Sequence, residues 1–230
     1  MGSRGLEGTL VIGGPVNLEP ITGTLDMWES GIRQGMLANL QQEHGALFTA
    51  DGEPVIGYGG DEHTIHLDDR VLNLEGGTFT HYHPDPNFGG TLSMADLGVL
   101  AQSKLGELRA VSSTGQLYSV KAGQNADREG LARWIKMNRK LAQRNFEKSY
   151  DAALKAATTP LKSGPHKGQV KLVNRQTGKV IYRNPMTPQQ AATYARQFST
   201  GMFDRMYQKA LTNFGFTYTA TKAGKNAVKW

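Results

Sequence analysis

The sequence predicts an α/β protein with a basic α+β extension at its C-terminal end. Short runs with strand-like alternation are interleaved with amphipathic helical runs along the 230 residues. The charge changes abruptly: residues 1–123 hold 6 lysines and arginines against 15 acidic residues, and residues 124–230 hold 20 against 5. Such asymmetry indicates two functional modules, or two surfaces that pack on each other.

The composition excludes several classes of protein. No run of eighteen apolar residues exists, so no transmembrane helix and no membrane partner are expected. The N-terminus lacks the basic start and apolar block of a secretory signal, which favours a soluble protein, either cytoplasmic or delivered to a target cell. The chain contains no cysteine, so disulfides and thiolate metal ligands are excluded. Any zinc must therefore be held by His, Asp, Glu and water.

The acidic half is predicted to form one compact domain over residues 20–123, preceded by a linker or scar over residues 1–19. Apolar residues at three- and four-residue spacing predict a helix over residues 20–43. Asp51 and Gly52 predict the turn of a hairpin. The other predicted elements are strands 45–49, 54–58, 64–67 and 78–80, a helix from 93 to about 105, and a hairpin of strands 107–112 and 116–121.

The basic half is predicted to form an α+β domain or extension over residues 124–230 that binds a substrate or a partner. Its predicted elements are a helix at 127–157, a hairpin of strands 170–173 and 179–182, a helix at 188–213 and a strand at 216–219. The apolar side of the first helix is assigned to Leu131, Ile135, Leu141, Phe146 and Leu154.

A row of basic side chains along that first helix is a candidate partner-binding surface. It can be a solvated face, a surface for nucleic acid, or a surface for an acidic protein. Aromatic stacking positions are sparse along the helix, which favours a protein partner over nucleic acid. The candidate residues are Arg133, Lys136, Arg139, Lys140 and Arg144.

The chemistry is concentrated between Thr78 and Asp96. His81 and His83 stand at i and i+2 at the end of a predicted strand, so both imidazoles point to the same face. Asp96 lies one turn into the next helix, where its carboxylate can supply a third ligand. Three protein ligands and an open fourth position describe a catalytic Zn²⁺ site, where the metal brings the pKa of a water towards neutrality.

The pattern His81-x-His83-Pro84 followed by Ser93-x-x-Asp96 resembles the H-x-H-P … S-x-x-D signature of the JAMM (JAB/MPN) zinc metalloproteases. That family includes deubiquitinating isopeptidases. The resemblance covers about residues 40–121 and is greatest to JAB-like domains found near phage head-morphogenesis genes and in polymorphic toxins. Nine residues separate His83 from Ser93, where the family usually has seven, so the 85–91 loop is longer here.

The resemblance implies a JAB/MPN fold, whose mixed sheet flanked by helices is similar to that of cytidine deaminases. It implies that Glu43 moves a proton from the zinc water to the leaving amine, as a general acid/base. It also implies that Ser93 donates a hydrogen bond to the oxyanion. The implied activity is hydrolysis of a peptide or isopeptide bond in a protein substrate, in a phage-linked or toxin effector.

Other interpretations of the same residues stay open. The chain can be a nucleic-acid-binding or virion-associated protein that uses the JAB fold as a scaffold, or a metal-dependent nuclease. Glu62 is the alternative to Glu43, although it lies in a predicted loop. A capping box alone also accounts for Ser93 and Asp96 and is compatible with catalysis. The remaining histidines are predicted on the surface or in turns: His44, His63, His66 and His166.

Overall fold

The computed structural model describes residues 9–34, 42–61, 64–84, 91–113, 115–173 and 179–221, and within them the chain is a mixed α/β protein. The strands are β1 (Thr9–Ile12), β2 (Asn17–Glu19), β3 (His44–Phe48), β4 (Pro54–Gly59), β5 (Thr64–Leu67), β6 (Thr78–His83), β7 (Glu107–Ser112), β8 (Leu117–Ala122), β9 (Val170–Val173), β10 (Val180–Arg183) and β11 (Phe216–Ala220). The helices are α1 (Leu25–Arg33), α2 (Asp69–Asn73), α3 (Met94–Gln102), α4 (Arg128–Thr158) and α5 (Pro188–Asn213).

A seven-stranded mixed sheet, flanked by helices, is the main feature of the fold. Its strand order is β11-β8-β7-β6-β3-β4-β2, and every neighbouring pair is antiparallel except the parallel pair β6–β7. Two of the three predicted hairpins, β3–β4 and β7–β8, lie in this sheet and are confirmed. Gly52, in the first hairpin turn, has a φ of 84°, a conformation that glycine adopts at no steric cost.

The two faces of the sheet are covered by different helices. Side chains alternate between the faces along a strand, so Tyr82 on β6 points away from His81 and His83. Tyr82 packs in an apolar cluster with Trp28 and Ile32 of α1. Asp96 of α3 reaches His81 on the opposite face. The strand β6 is therefore buried on both sides, as its six buried residues show.

The predicted first helix is shorter than expected. A helix over 20–43 was inferred from apolar spacing, but α1 begins after Thr24 and ends at Arg33. Gln34 closes the helix, while the apolar residues beyond it that supported the longer helix lie in 35–41, outside the described residues. Residue 43 is not helical, because its main chain already bonds to Gly60 and Asp61 beside the sheet.

The chain divides into two compact units. The basic unit is formed mainly by Lys140–Met206, and the sheet unit by the described residues on either side of it. The predicted boundary after residue 123 does not coincide with this division, because β11 pairs with β8 and completes the sheet. Charge changes at residue 123, but a change in surface charge does not mark the edge of a hydrophobic core.

The predicted linker at residues 1–19 contains two strands. β1 pairs in parallel with β5 to form a separate two-stranded sheet, and β2 occupies one edge of the seven-stranded sheet beside β4. Both strands are short, and glycine and proline separate them, so the local sequence pattern resembled a linker.

The basic unit has its own core. It contains the predicted β9–β10 hairpin. It also contains most of α4 and α5, the helices predicted at 127–157 and 188–213. Along α4, the predicted apolar position Leu141 is 55% exposed, while its neighbour Ala142 is buried. Ala142 is seven residues after the buried Ile135, two helical turns, so the buried stripe passes through 142. The core of the unit consists of Ala157, Val170, Leu172, Met186 and Ala191.

Candidate metal centre

The site begins at the end of β6, where two histidines share one face of the sheet. Both His81 and His83 are buried, and their Nε2 atoms lie 2.8 Å apart. The parallel strand β7 fixes the strand end, because the amide of Ser113 donates to the carbonyl of His83 at 3.0 Å. The predicted orientation of both imidazoles toward one point is therefore found in the structure.

The third donor comes from the first turn of α3. Ser93 is the N-cap of this helix, and its hydroxyl accepts the amide of Asp96 at 3.1 Å. In return, Asp96 Oδ2 accepts the amide of Ser93 at 2.6 Å, which completes the predicted capping box. The same Oδ2 lies 3.6 Å from Nε2 of His81. Helix capping therefore places the carboxylate beside the histidines.

Most of the predicted 85–91 loop, residues 85–90, lies outside the described residues. The described chain stops at Pro84 and resumes at Thr91. Thr91 is hydrogen-bonded through its hydroxyl to that of Tyr218 on β11, at 3.1 Å. Thr91 is thus held to the sheet two residues before Ser93.

Three buried donors that meet in this way can bind a metal ion. One ligand atom from each of His81, His83 and Asp96 lies within 4.8 Å of the other two. Two imidazoles and a carboxylate suit several divalent transition metals, zinc among them. In the described part of the chain, Oδ1 of Asp96 and Nδ1 of His81 are buried with no hydrogen-bond partner. Unsatisfied buried polar atoms are costly, and a metal ion bound to Asp96 would offset part of that cost.

The charge state of Asp96 also fits a metal ligand. Burial by itself would raise the pKa of this carboxyl, but His81, His83 and the amide of Ser93 favour the ionised form. The net result is a pKa below the ordinary value for aspartate. Asp96 is therefore an anion in the site, as coordination of a cation requires.

Glu43 lies beside the same cluster. The antiparallel register of β3 and β6 pairs Gly45 with His81 and His44 with Tyr82, so Glu43 stands one residue further, next to the end of β6. Its side chain is only 3% exposed, and Oε2 has no hydrogen-bond partner among the described residues. Burial, followed by repulsion from Asp96 and Asp61, raises the pKa of Glu43 to about 9.

An aromatic ring packed against His81 was not predicted from the sequence. Phe79, two residues before His81 on the same face, stacks on its ring with centroids 6.0 Å apart and an interplanar angle of 22°. A Cβ atom at Gly45 would lie 2.4 Å from Cζ of Phe79. Glycine at position 45, opposite His81, therefore leaves the space that this ring occupies. The i−2 spacing of Phe79 was visible in the sequence, but its pairing with Gly45 depends on the strand register.

The other histidines considered in the sequence lie elsewhere. Nδ1 of His44 is 3.3 Å from Oε2 of Glu19, and Nδ1 of His66 is 2.9 Å from the carbonyl oxygen of Gly13. His166, in the basic unit, stacks on Tyr182. Among the described residues, none of these histidines belongs to the group of metal donors. Glu62 and His63 lie outside the described residues.

The candidate partner-binding residues are solvent-exposed on α4. Arg133 lies 3.5 Å from Glu129 one turn earlier, an exposed pair of small energetic value. In the sheet unit, an open groove of about 360 Å³ is lined by residues that include Trp134 and Phe214. The exposed basic residues are Arg133, Lys136, Arg139, Lys140 and Arg144.

The fold and the site together define a mixed α/β protein with a buried two-histidine, one-aspartate cluster that can bind a metal ion. Comparison of the chain with protein-family models, with curated proteins and with solved structures gives no significant match. No helix in the described ranges combines the length and apolar character needed to cross a membrane.

Proposed function

We propose that this protein is a zinc-dependent hydrolase of the JAMM (JAB/MPN) type that cleaves a peptide or isopeptide bond. The observation that carries the proposal is the convergence of His81, His83 and Asp96 within 4.8 Å, in the H-x-H-P … S-x-x-D pattern. Glu43, a buried carboxyl beside them, supports it further. A zinc ion held by the three donors would lower the pKa of a bound water towards neutrality and would polarise the scissile carbonyl.

Glu43 is assigned as the general acid/base. Its pKa of about 9 applies to the site without a cation. A divalent ion nearby favours the carboxylate, and so brings the pKa down toward the operating pH. A carboxyl poised in this way accepts a proton from the attacking water and returns it to the leaving amine. Oε2 has no partner among the described residues, so it is available for this transfer.

Ser93 is assigned as the hydrogen-bond donor to the developing oxyanion. In the capping box its hydroxyl oxygen accepts the amide of Asp96, which leaves the hydroxyl hydrogen for a second contact. A donor fixed in this way needs no reorganisation during the reaction. Ser93 thus combines a structural role at the helix N-terminus with a role in turnover.

The experiment compares zinc content and hydrolysis in the wild type and in Glu43→Gln. The substrates are a ubiquitin dimer, casein and single-stranded DNA, each incubated with the zinc-loaded full chain. The variant should retain zinc and lose at least about a hundredfold in peptide or isopeptide hydrolysis. Glu29→Gln is the matched control, because Glu29 is equally buried but belongs to the opposite face, where it pairs with Arg109.

Full protease activity in Glu43→Gln would refute the assigned mechanism. Cleavage of the DNA alone would favour a metal-dependent nuclease instead. Zinc binding by the wild type with no hydrolysis of any of the three substrates would favour a scaffold.

A further inference from the structure

The β9–β10 ribbon of the basic unit has one strand that is exposed along its whole length. All four residues of β10 are solvent-exposed, and its three apolar side chains, Val180, Ile181 and Tyr182, have exposed fractions of 37–40%. By contrast, Val170 and Leu172 of β9 are buried in the core of the unit. The ribbon thus packs through β9 and presents β10 outward.

The outer edge of β9 is closed by a side chain. The hydroxyl of Tyr194 on α5 accepts the amide of Val173 and donates to its carbonyl, both at 3.3 Å. The main-chain groups of Val173 therefore point away from β10. Val173 is directly opposite Val180, so this is a pair without mutual hydrogen bonds, and the main-chain groups of Val180 also point outward.

Among the described residues, the outer edge of β10 is unpaired. By the alternation of an antiparallel ladder, Val180 and Tyr182 direct their amides and carbonyls to this edge, whereas Ile181 bonds to β9. In the described residues, no backbone hydrogen bond reaches Val180 or Tyr182 from outside the ribbon. Tyr182 is held in place by His166, whose ring stacks on it at 3.7 Å between centroids. An ordered strand with unpaired main-chain groups is a template for another strand.

The positive charge around this edge favours an acidic partner. Lys179 and Arg183 flank the apolar residues of β10, and Lys171 lies opposite Tyr182 on the ribbon. Over residues 140–206 the chain carries 12 lysines and arginines against 3 acidic residues. We propose that β10 is a docking edge for an extended acidic segment of a partner protein, which adds to the ribbon as its third strand.

Two other occupants fit less well. If a second copy of the chain paired its β10 antiparallel about Ile181, Lys179 of one copy would face Arg183 of the other, and like charges opposite each other destabilise a sheet. Nucleic acid matches the charge but not the row of alternating amides and carbonyls, which another polypeptide strand satisfies. The exposed aliphatic side chains of Val180 and Ile181 likewise favour a polypeptide.

The test measures binding of a fluorescein-labelled decapeptide of alternating glutamate and valine to the full chain by fluorescence anisotropy. Val180→Pro removes one outward amide that the ribbon itself does not use, and should weaken binding about tenfold. Val180→Ala keeps the amide and should change affinity by no more than about twofold. The double variant Lys179→Glu, Arg183→Glu should also bind the peptide more weakly.

A peptide control decides the proposal even if Val180→Pro does not fold. The fully N-methylated peptide has the same charge but no amide donors, so it should fail to bind the wild-type chain. Equal affinity for the methylated peptide would overturn the proposal, since charge alone would then explain binding. The same conclusion follows if single-stranded DNA of equal charge displaces the peptide and binds Val180→Pro as tightly as the wild type.

Discussion

The Nε2 atoms of His81 and His83 lie 2.8 Å apart in a buried site. Two imidazole lone pairs at this distance repel, so either one nitrogen carries a hydrogen that the other accepts, or a cation takes the place of that hydrogen. Binding of a cation between these atoms would require the hydrogen to leave Nε2, either for Nδ1 of the same ring or for water. Because a protonated nitrogen cannot bind a metal, metal affinity should fall as the pH is lowered.

The first prediction concerns metal content. Zinc-loaded wild-type protein should contain about one ion per chain, and His81→Ala or His83→Ala should contain almost none, because three protein ligands define the site. His66→Ala is the control, since His66 lies outside the donor group and should leave the content unchanged. Elemental analysis after dialysis measures the content. Retention of zinc by both site variants would place the metal elsewhere.

The second prediction separates the two roles of Ser93. Ser93→Ala removes the N-cap of α3 and should lower the free energy of unfolding by about 1 kcal/mol. In the proposed mechanism it should also reduce kcat by roughly 10²–10³-fold while most of the zinc is retained. Ser93→Thr keeps the hydroxyl and should recover the cap. A Ser93→Ala enzyme with wild-type kcat would limit this residue to its structural role.

The third prediction uses the raised pKa of Glu43 in protein freed of metal with a chelator. Its pKa rises from 4.5 to about 9 on folding, so the folded state keeps a proton that the unfolded state loses above pH 4.5. Stability from this group is complete at acid pH and declines as the pH rises towards 9, by up to about 1.4 kcal/mol per pH unit. The glutamine in Glu43→Gln does not titrate. The free energy of unfolding of this variant, relative to that of the wild type, should therefore increase between pH 5 and pH 8.

Urea unfolding of both proteins at the two pH values measures this difference, and other titrating groups cancel in the comparison. Addition of zinc should reduce it, because a cation stabilises the carboxylate of Glu43. A difference that is the same at pH 5 and pH 8 would mean that Glu43 is already ionised in the folded, metal-free protein.

The fourth prediction tests whether Gly45 leaves the space for the Phe79 ring that stacks on His81. In Gly45→Ala the added methyl group would lie 2.4 Å from the ring of Phe79, which is itself buried, so the ring must move against its stack with His81. We expect a loss of about 1–3 kcal/mol in unfolding free energy and weaker zinc binding.

Gly98→Ala is the matched control for this substitution. Gly98 lies within α3, and among the described residues an added Cβ would meet only the side-chain Nε2 of Gln102, at 3.9 Å. Alanine is favoured over glycine inside a helix, so this variant should be slightly more stable than the wild type. Equal effects of the two substitutions on zinc affinity would show that the Phe79 ring does not position His81.

The part of the site that is local in sequence could be predicted, and the part that depends on strand register could not. Strand alternation predicts that His81 and His83 share one face, and a capping box predicts the contact of Ser93 with Asp96. Both patterns involve residues only a few positions apart. Glu43 was assigned only through the family resemblance, because nothing in its own neighbourhood relates it to His83. The contact of Gly45 with Phe79 requires the β3–β6 pairing and left no signal in the sequence.

The same distinction applies to the fold. The hairpins β3–β4 and β7–β8 have turns of a few residues, and local patterns predicted both. The pairing of β11 with β8 joins segments from opposite sides of the charge boundary, so a compositional argument separated them. The sequence predicts a strand at 216–219, close to the observed Phe216–Ala220, but it does not show which edge that strand joins.

The position of β11 also has a consequence for synthesis. The edge of β8 stays unpaired on the ribosome until a strand about a hundred residues later emerges, and long-range pairing of this kind slows folding. During this interval the nascent chain exposes a sheet edge with unpaired main-chain groups, which can pair with other chains and lead to aggregation. We therefore expect the yield of native protein to depend on translation rate and on chaperones that shield the β8 edge until β11 arrives.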